Sequence, residues 1–179
     1  MALDWSDLLI RTGEGDAQRL HTVWGWKLEA AYHPVVLSSF GDWFLQAEDG
    51  AIHRLDVCTG ALERVAREGA EFEAGLADDD KRREWLRAVL VAQLVEEGRS
   101  RAANQCWAFQ IHPRLGGKPA PENVIAMNVQ AWQVLCAAIC RTPEGTPFTG
   151  FTTDGELVLG PSPARPGEPG EPGGTKGSD

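Results

Sequence analysis

The sequence has no apolar run able to cross a bilayer. Its longest, residues 88–92 and 134–140, fall far short of the roughly 20 residues that a spanning helix needs. Positive charge is scarce: 17 Lys and Arg stand against 26 Asp and Glu, a formal net charge of −9. A surface this negative repels phosphate backbones, which argues against direct nucleic-acid binding and favours a basic partner. Cysteine is sparse as well. Cys58, Cys106, Cys136 and Cys140 lie scattered, without the dense spacing of a small secreted scaffold, and read as reduced thiols. The opening Met1-Ala2-Leu3-Asp4-Trp5-Ser6-Asp7 is acidic and lacks a positive segment followed by an apolar run. A cytoplasmic protein that does not enter the membrane is therefore expected.

Recognisable chemistry is equally thin. His21, His33, His53 and His112 stand apart, in no H-x-x-x-H or H-E-x-x-H pattern. Leu115-Gly116-Gly117-Lys118 lacks the spacing of a phosphate loop, and Pro119 follows the lysine. Cys136 and Cys140 share a helix face, and with Cys106 or His112 they supply zinc-type donors. Their setting, Val134-Leu135-Cys136-Ala137-Ala138-Ile139-Cys140, is apolar, and free cysteine is among the most buried residue types, so core packing is the expectation. No catalytic residue, cofactor or metal is expected.

What is present is ordinary globular material, 42% apolar and 24% charged. The Pro, Gly and Ser content rises beyond about residue 160, leaving roughly 160 residues to fold as one domain. A short helix is expected over residues 5–10, capped by Asp4 or Ser6, and a second over 16–24, closed by Trp24-Gly25-Trp26. Val35-Val36-Leu37, Trp43-Phe44-Leu45, Ile52-His53-Arg54-Leu55 and Leu62-Glu63-Arg64-Val65 are separated by turns at Glu48-Asp49-Gly50 and Cys58-Thr59-Gly60. That pattern predicts an antiparallel meander with one wet face. A helix over residues 70–76 and a long one over 81–97 follow, the latter with Trp85, Leu86, Val89, Leu90, Leu94 and Val95 on its apolar face. Residues 105–111 and 124–127 read as strands, 132–140 as a helix, and 151–159 as a last hairpin. The fold expected is α+β, an antiparallel meander packed against several helices in a single domain. Residues 1–23 form an N-terminal helical segment, 24–159 the main domain, and 160–179 a disordered tail.

The ordered run of small motifs resembles a known family. Trp24-Gly25-Trp26, Ser39-Phe40-Gly41-Asp42-Trp43-Phe44, Asp49-Gly50-Ala51-Ile52-His53-Arg54-Leu55-Asp56 and Thr59-Gly60 carry it. It continues through Glu71-Phe72, Trp85-Leu86, Gln105-Cys106-Trp107-Ala108-Phe109, Leu115-Gly116-Gly117 and Glu122-Asn123-Val124. The pattern is similar to a bacterial domain best known as the C-terminal part of immunity proteins that neutralise DNase toxins delivered by type VI secretion. The family's last helix commonly holds Gly-Gln and a His near its end, where this chain has Ala137-Ala138-Ile139-Cys140-Arg141. The resemblance implies an α+β fold and toxin-binding immunity, with a cognate protein toxin as partner; the net charge of −9 favours a basic one. The alternative is a non-catalytic adaptor docking into a larger bacterial assembly.

Contact residues are sought among turns, which project charge, and among tryptophans, which are enriched in binding hot spots. Of seven tryptophans, Trp85, Trp107 and Trp132 fall on apolar faces, whereas Trp24, Trp26 and Trp43 do not place themselves. Trp43 is the candidate exposed anchor. Glu48, Asp49 and Asp56 are the candidate acidic contacts.

Overall fold

Two glycine turns set the architecture. Gly50 at φ 85° and Gly60 at φ 71° occupy the left-handed region that glycine enters without a Cβ penalty. They reverse the chain within a five-stranded antiparallel sheet: β1 (Leu9–Arg11), β2 (Tyr32–Ser38), β3 (Trp43–Ala47), β4 (Ile52–Asp56) and β5 (Ala61–Ala66), paired in that order. The computed structural model describes residues 3–142, 148–151 and 157–159. The expected tail and the turn at 153–156 lie outside the described residues.

The helix α1 (Trp5–Leu8) is shorter than expected. Asp4 caps it as read, but Leu9, Ile10 and Arg11 pair with Ser38, Leu37 and Val36 instead of continuing the helix. Helix α2 (Asp16–Trp24) follows the expected bounds. After the meander come α3 (Gly69–Ala77), α4 (Asp79–Leu86) and α5 (Ala88–Glu96). The apolar periodicity over 81–97 predicts one helix; the chain forms two, broken at Arg87, whose φ of 51° is left-handed. Strands β6 (Gln105–Phe109) and β7 (Val124–Asn128) pair as a separate two-stranded sheet, and α6 (Val129–Arg141) completes this part. Between β6 and β7 the chain folds back tightly enough that a Cβ on Gly117 would collide with the Ile111 carbonyl.

Strand β3 is buried on both faces, not one. Phe44 packs on Phe72 of α3 at 5.0 Å between ring centroids, and Phe72 stacks on Trp85 of α4 at 6.0 Å. Trp43, next along the strand and so on the opposite face, meets Gln133 of α6. A central strand between two helical layers cannot keep a wet face. The core therefore runs through the sheet, from Phe72 and Trp85 on one side to Trp24 and Trp132 on the other. The fold is α+β, as expected.

The chain divides into two units, Met1–Glu144 and Gly145–Asp179. In the second, β8 (Phe148–Phe151) and β9 (Leu157–Leu159) pair antiparallel, matching the expected last hairpin.

Candidate functional site

Trp43 is 2% exposed and Asp56 9%. Neither is the surface contact that the sequence suggests. The physical reason is long-range. The Trp43 indole N–H donates to Gln133 Oε1 at 3.0 Å, and Trp24 donates to the same oxygen. Gln133 in turn donates from Nε2 to the Gly41 carbonyl, while the Trp132 indole donates to the Phe40 carbonyl at 3.0 Å. One glutamine thus joins α2, β3 and the β2–β3 turn to α6.

Asp56 is an internal cap. Its Oδ1 accepts from the Cys58 and Thr59 amides at 2.9 and 3.1 Å, shaping the β4–β5 turn. Its Oδ2 takes Arg87 at 3.1 Å, and Arg54 stands 3.6 Å away. Arg87 also pairs with Asp42, whose Oδ1 accepts from the Val57 amide at 3.0 Å. Two carboxylates and two guanidiniums leave this cluster without net charge, which burial demands. Burial pushes the Asp42 carboxyl up, against the pull of Arg87. Burial also opposes the Arg87 charge, yet Asp42 and Asp56 outweigh it and hold the guanidinium protonated.

Glu48 and Asp49 lie exposed at the β3–β4 turn, as read. Asp49 Oδ1 accepts from the Ala51 amide at 3.0 Å, so its carboxylate also shapes the turn. The exposed indoles are Trp26 and Trp5, at 44% and 49%. Trp26 was one of three tryptophans that the sequence could not place. It stacks on buried Trp24 at 6.0 Å and carries Arg141 over its ring at 5.1 Å. An aromatic held from below and flanked by a cation is a preorganised contact element.

A cleft of about 270 Å³ opens between α2, β1 and the start of α6. Arg11, Asp16, Arg19, Asn104, Asn128 and Trp43 are among the residues that line it. Asp16 already accepts from the Gly13 amide and from Arg19. The cleft therefore has a lining of mixed polarity.

Cys58, Cys136 and His112 meet inside the protein, their donor atoms within 4.8 Å of one another. The zinc-type grouping weighed from sequence used Cys136, Cys140 and either Cys106 or His112. Cys58 joins instead, because the Asp56-capped turn carries it against α6. Burial pushes the Cys136 thiol well above its ordinary value and drives the His112 imidazole down to about 4. A raised Cys136 thiol next to a neutral imidazole makes a weak nucleophile. No described helix is long and apolar enough to span a membrane.

Comparison with known proteins gives three findings. None of the curated proteins compared matches the chain. The crystal structure of Atu4351 from Agrobacterium tumefaciens is similar with a TM-score of 0.47 and 15% identity, over 79% of this chain and 70% of that one. Residues 66–140, the stretch from the end of β5 through most of α6, match the family described as T6SS immunity protein Tdi1, C-terminal.

Proposed function

We propose that this chain binds and neutralises a protein toxin, a nuclease effector of type VI secretion, in the cytoplasm of the cell that makes it. The family match over residues 66–140 carries the reading. Three further features support it. The net charge of −9 suits a basic, polyanion-gripping toxin. The exposed carboxylates of Glu48 and Asp49 sit on a turn free to meet a partner. Trp26, with Arg141 over it, supplies an exposed aromatic anchor. In this reading Trp43 and Asp56 act indirectly, by fixing the core and the β4–β5 turn from which the surface is built. The chain makes no direct contact with nucleic acid and performs no catalysis.

The test is co-expression with the nuclease-like product of a neighbouring gene. Rescue of growth, with a stable complex of the two purified proteins, is expected. Toxicity undiminished by this chain, with no complex formed, would sink the reading; a stable complex with a secretion-apparatus subunit in its place would point to the adaptor role.

A further inference from the structure

The Cys58, His112 and Cys136 cluster shares no residue with those assigned above to partner contact. The three come from distant segments: the β4–β5 turn, the end of the β6 strand region and the middle of α6. All are buried, at 2%, 2% and 0% exposure. Each is held in place by its own local geometry. The Cys58 amide is fixed by Asp56. Cys136 lies one turn beyond Gln133, which three hydrogen bonds pin. His112 caps a short 3-10 helix (Pro113–Leu115), its Nδ1 accepting from the Arg114 amide at 3.2 Å. The other ring nitrogen, Nε2, is fully buried and has no hydrogen-bond partner among the described residues. Buried polar atoms are seldom left so, and each that is asks for an explanation.

We propose that Cys58 Sγ, Cys136 Sγ and His112 Nε2 bind a thiophilic divalent cation of the zinc class. Donor chemistry selects the ion: two sulfurs and an imidazole suit zinc, whereas magnesium and calcium demand oxygen. Charge selects its valence. Two thiolates and a neutral imidazole balance the charge of a divalent ion, so the loaded site adds no net charge to the interior, whereas a monovalent ion would leave one negative charge there. Loading is balanced in protons: the two thiols each release one to solvent as the metal–sulfur bonds form. The ring proton moves from Nε2 to Nδ1, so the Arg114 amide contact is given up. The ion would tie the β4–β5 turn and the β6–β7 connection to α6.

The experiment uses the full chain stripped with a chelator and titrated with cobalt(II), then zinc. Thiolate-to-cobalt charge-transfer absorption should saturate at a single equivalent and vanish as zinc displaces the cobalt. Cys58→Ser and Cys136→Ser should each weaken binding by more than about tenfold, the least that losing even an outer-sphere partner costs. Cys106→Ser and Cys140→Ser should leave it nearly unchanged; Cys140 tests whether the neighbouring thiol, whose Sγ rests 3.7 Å from the Cys58 carbonyl, is a ligand in place of one of the two assigned. Because the Ser variants can misfold, a second readout uses the wild type: nitrogen NMR of the His112 ring should show the proton on Nε2 without metal and on Nδ1 with zinc. No stoichiometric binding by the folded wild type, binding that depends on Cys106 or Cys140, or a ring that keeps its Nε2 proton after zinc addition would each overturn the assignment.

Discussion

Arg87 reaches back across 45 residues to the buried carboxylate of Asp42, and it does so from a left-handed backbone conformation between two helices. That conformation costs energy in a residue with a Cβ. The ion pair, with Asp56 as second carboxylate, offsets it. Replacing Arg87 with Met should leave Asp42 buried and unpaired, a loss of about 3–5 kcal/mol in urea denaturation. Combining Arg87→Met with Asp42→Asn should recover part of that loss, since the stranded charge is removed. A single variant within about 1 kcal/mol of wild type would show that the pair adds little.

The same residue marks where local reading of the sequence stops working. Trp85, Leu86, Val89 and Leu90 keep helical spacing straight through Arg87, so periodicity sees one helix where α4 and α5 are two. The break follows from a tertiary pair with Asp42 and Asp56, invisible at helical range. The meander was legible because its signals are local: β-branched runs and Gly-ended turns fix β2 through β5 to within a few residues. Leu9 and Ile10 looked helical because only the pairing of Leu9–Arg11 with β2 makes them a strand. Trp43 looked exposed because its partner, Gln133, lies 90 residues on. Glu48 and Asp49 were legible as a surface turn, whereas Asp56, with a similar sequence setting, was drawn inward by its two amides and Arg87. The Cys58, His112 and Cys136 grouping joins three segments and has no motif spacing to reveal it.

Gln133 is a single acceptor for two buried indoles. Gln133→Leu fills much of the same volume but strands the Trp24 and Trp43 N–H groups and the Gly41 carbonyl. Each buried unsatisfied group costs about 1–3 kcal/mol, so with three of them a loss of roughly 3 kcal/mol or more is expected by equilibrium denaturation. Gln133→Glu keeps the acceptor and should cost less below neutral pH, where the carboxyl protonates more readily. Equal stability of the Leu variant and wild type would mean that these hydrogen bonds contribute nothing net.

Cys106 is fully buried, and burial pushes its thiol up to about 12. The sign of the resulting linkage is definite. Its folded value lies above the ordinary value of 9.0, so the stabilising share is present below pH 9 and is lost as pH rises toward 12. Between pH 9 and 10.5 wild type should lose about 2 kcal/mol relative to Cys106→Ala, which has no thiol to ionise. Parallel urea curves at the two pH values measure the difference. A stability gap between the two proteins that does not change with pH would refute a strongly raised thiol.

The exposed β3–β4 turn offers the most direct probe of partner binding. If Glu48 and Asp49 face a basic toxin, they act at long range, before the surfaces touch. Their effect then belongs in the association rate and weakens with salt, the Debye length shrinking from about 10 Å at 0.1 M to about 3 Å at 1 M. Glu48→Lys with Asp49→Lys should slow association about tenfold or more at low salt and much less at high salt. Asp49 also accepts the Ala51 amide, so reversing it costs a turn hydrogen bond worth about 0.5–1.5 kcal/mol. Glu48→Lys alone, which leaves the Asp49–Ala51 hydrogen bond in place, separates steering from turn stability. Trp26→Ala should act in the opposite kinetic channel: a desolvated anchor sets how long the complex lasts, so dissociation should quicken while association stays near its wild-type rate. Surface plasmon resonance across a salt series resolves both. Association rates unmoved by charge reversal and by salt would remove the turn from the interface, and a dissociation rate unmoved by Trp26→Ala would remove the anchor.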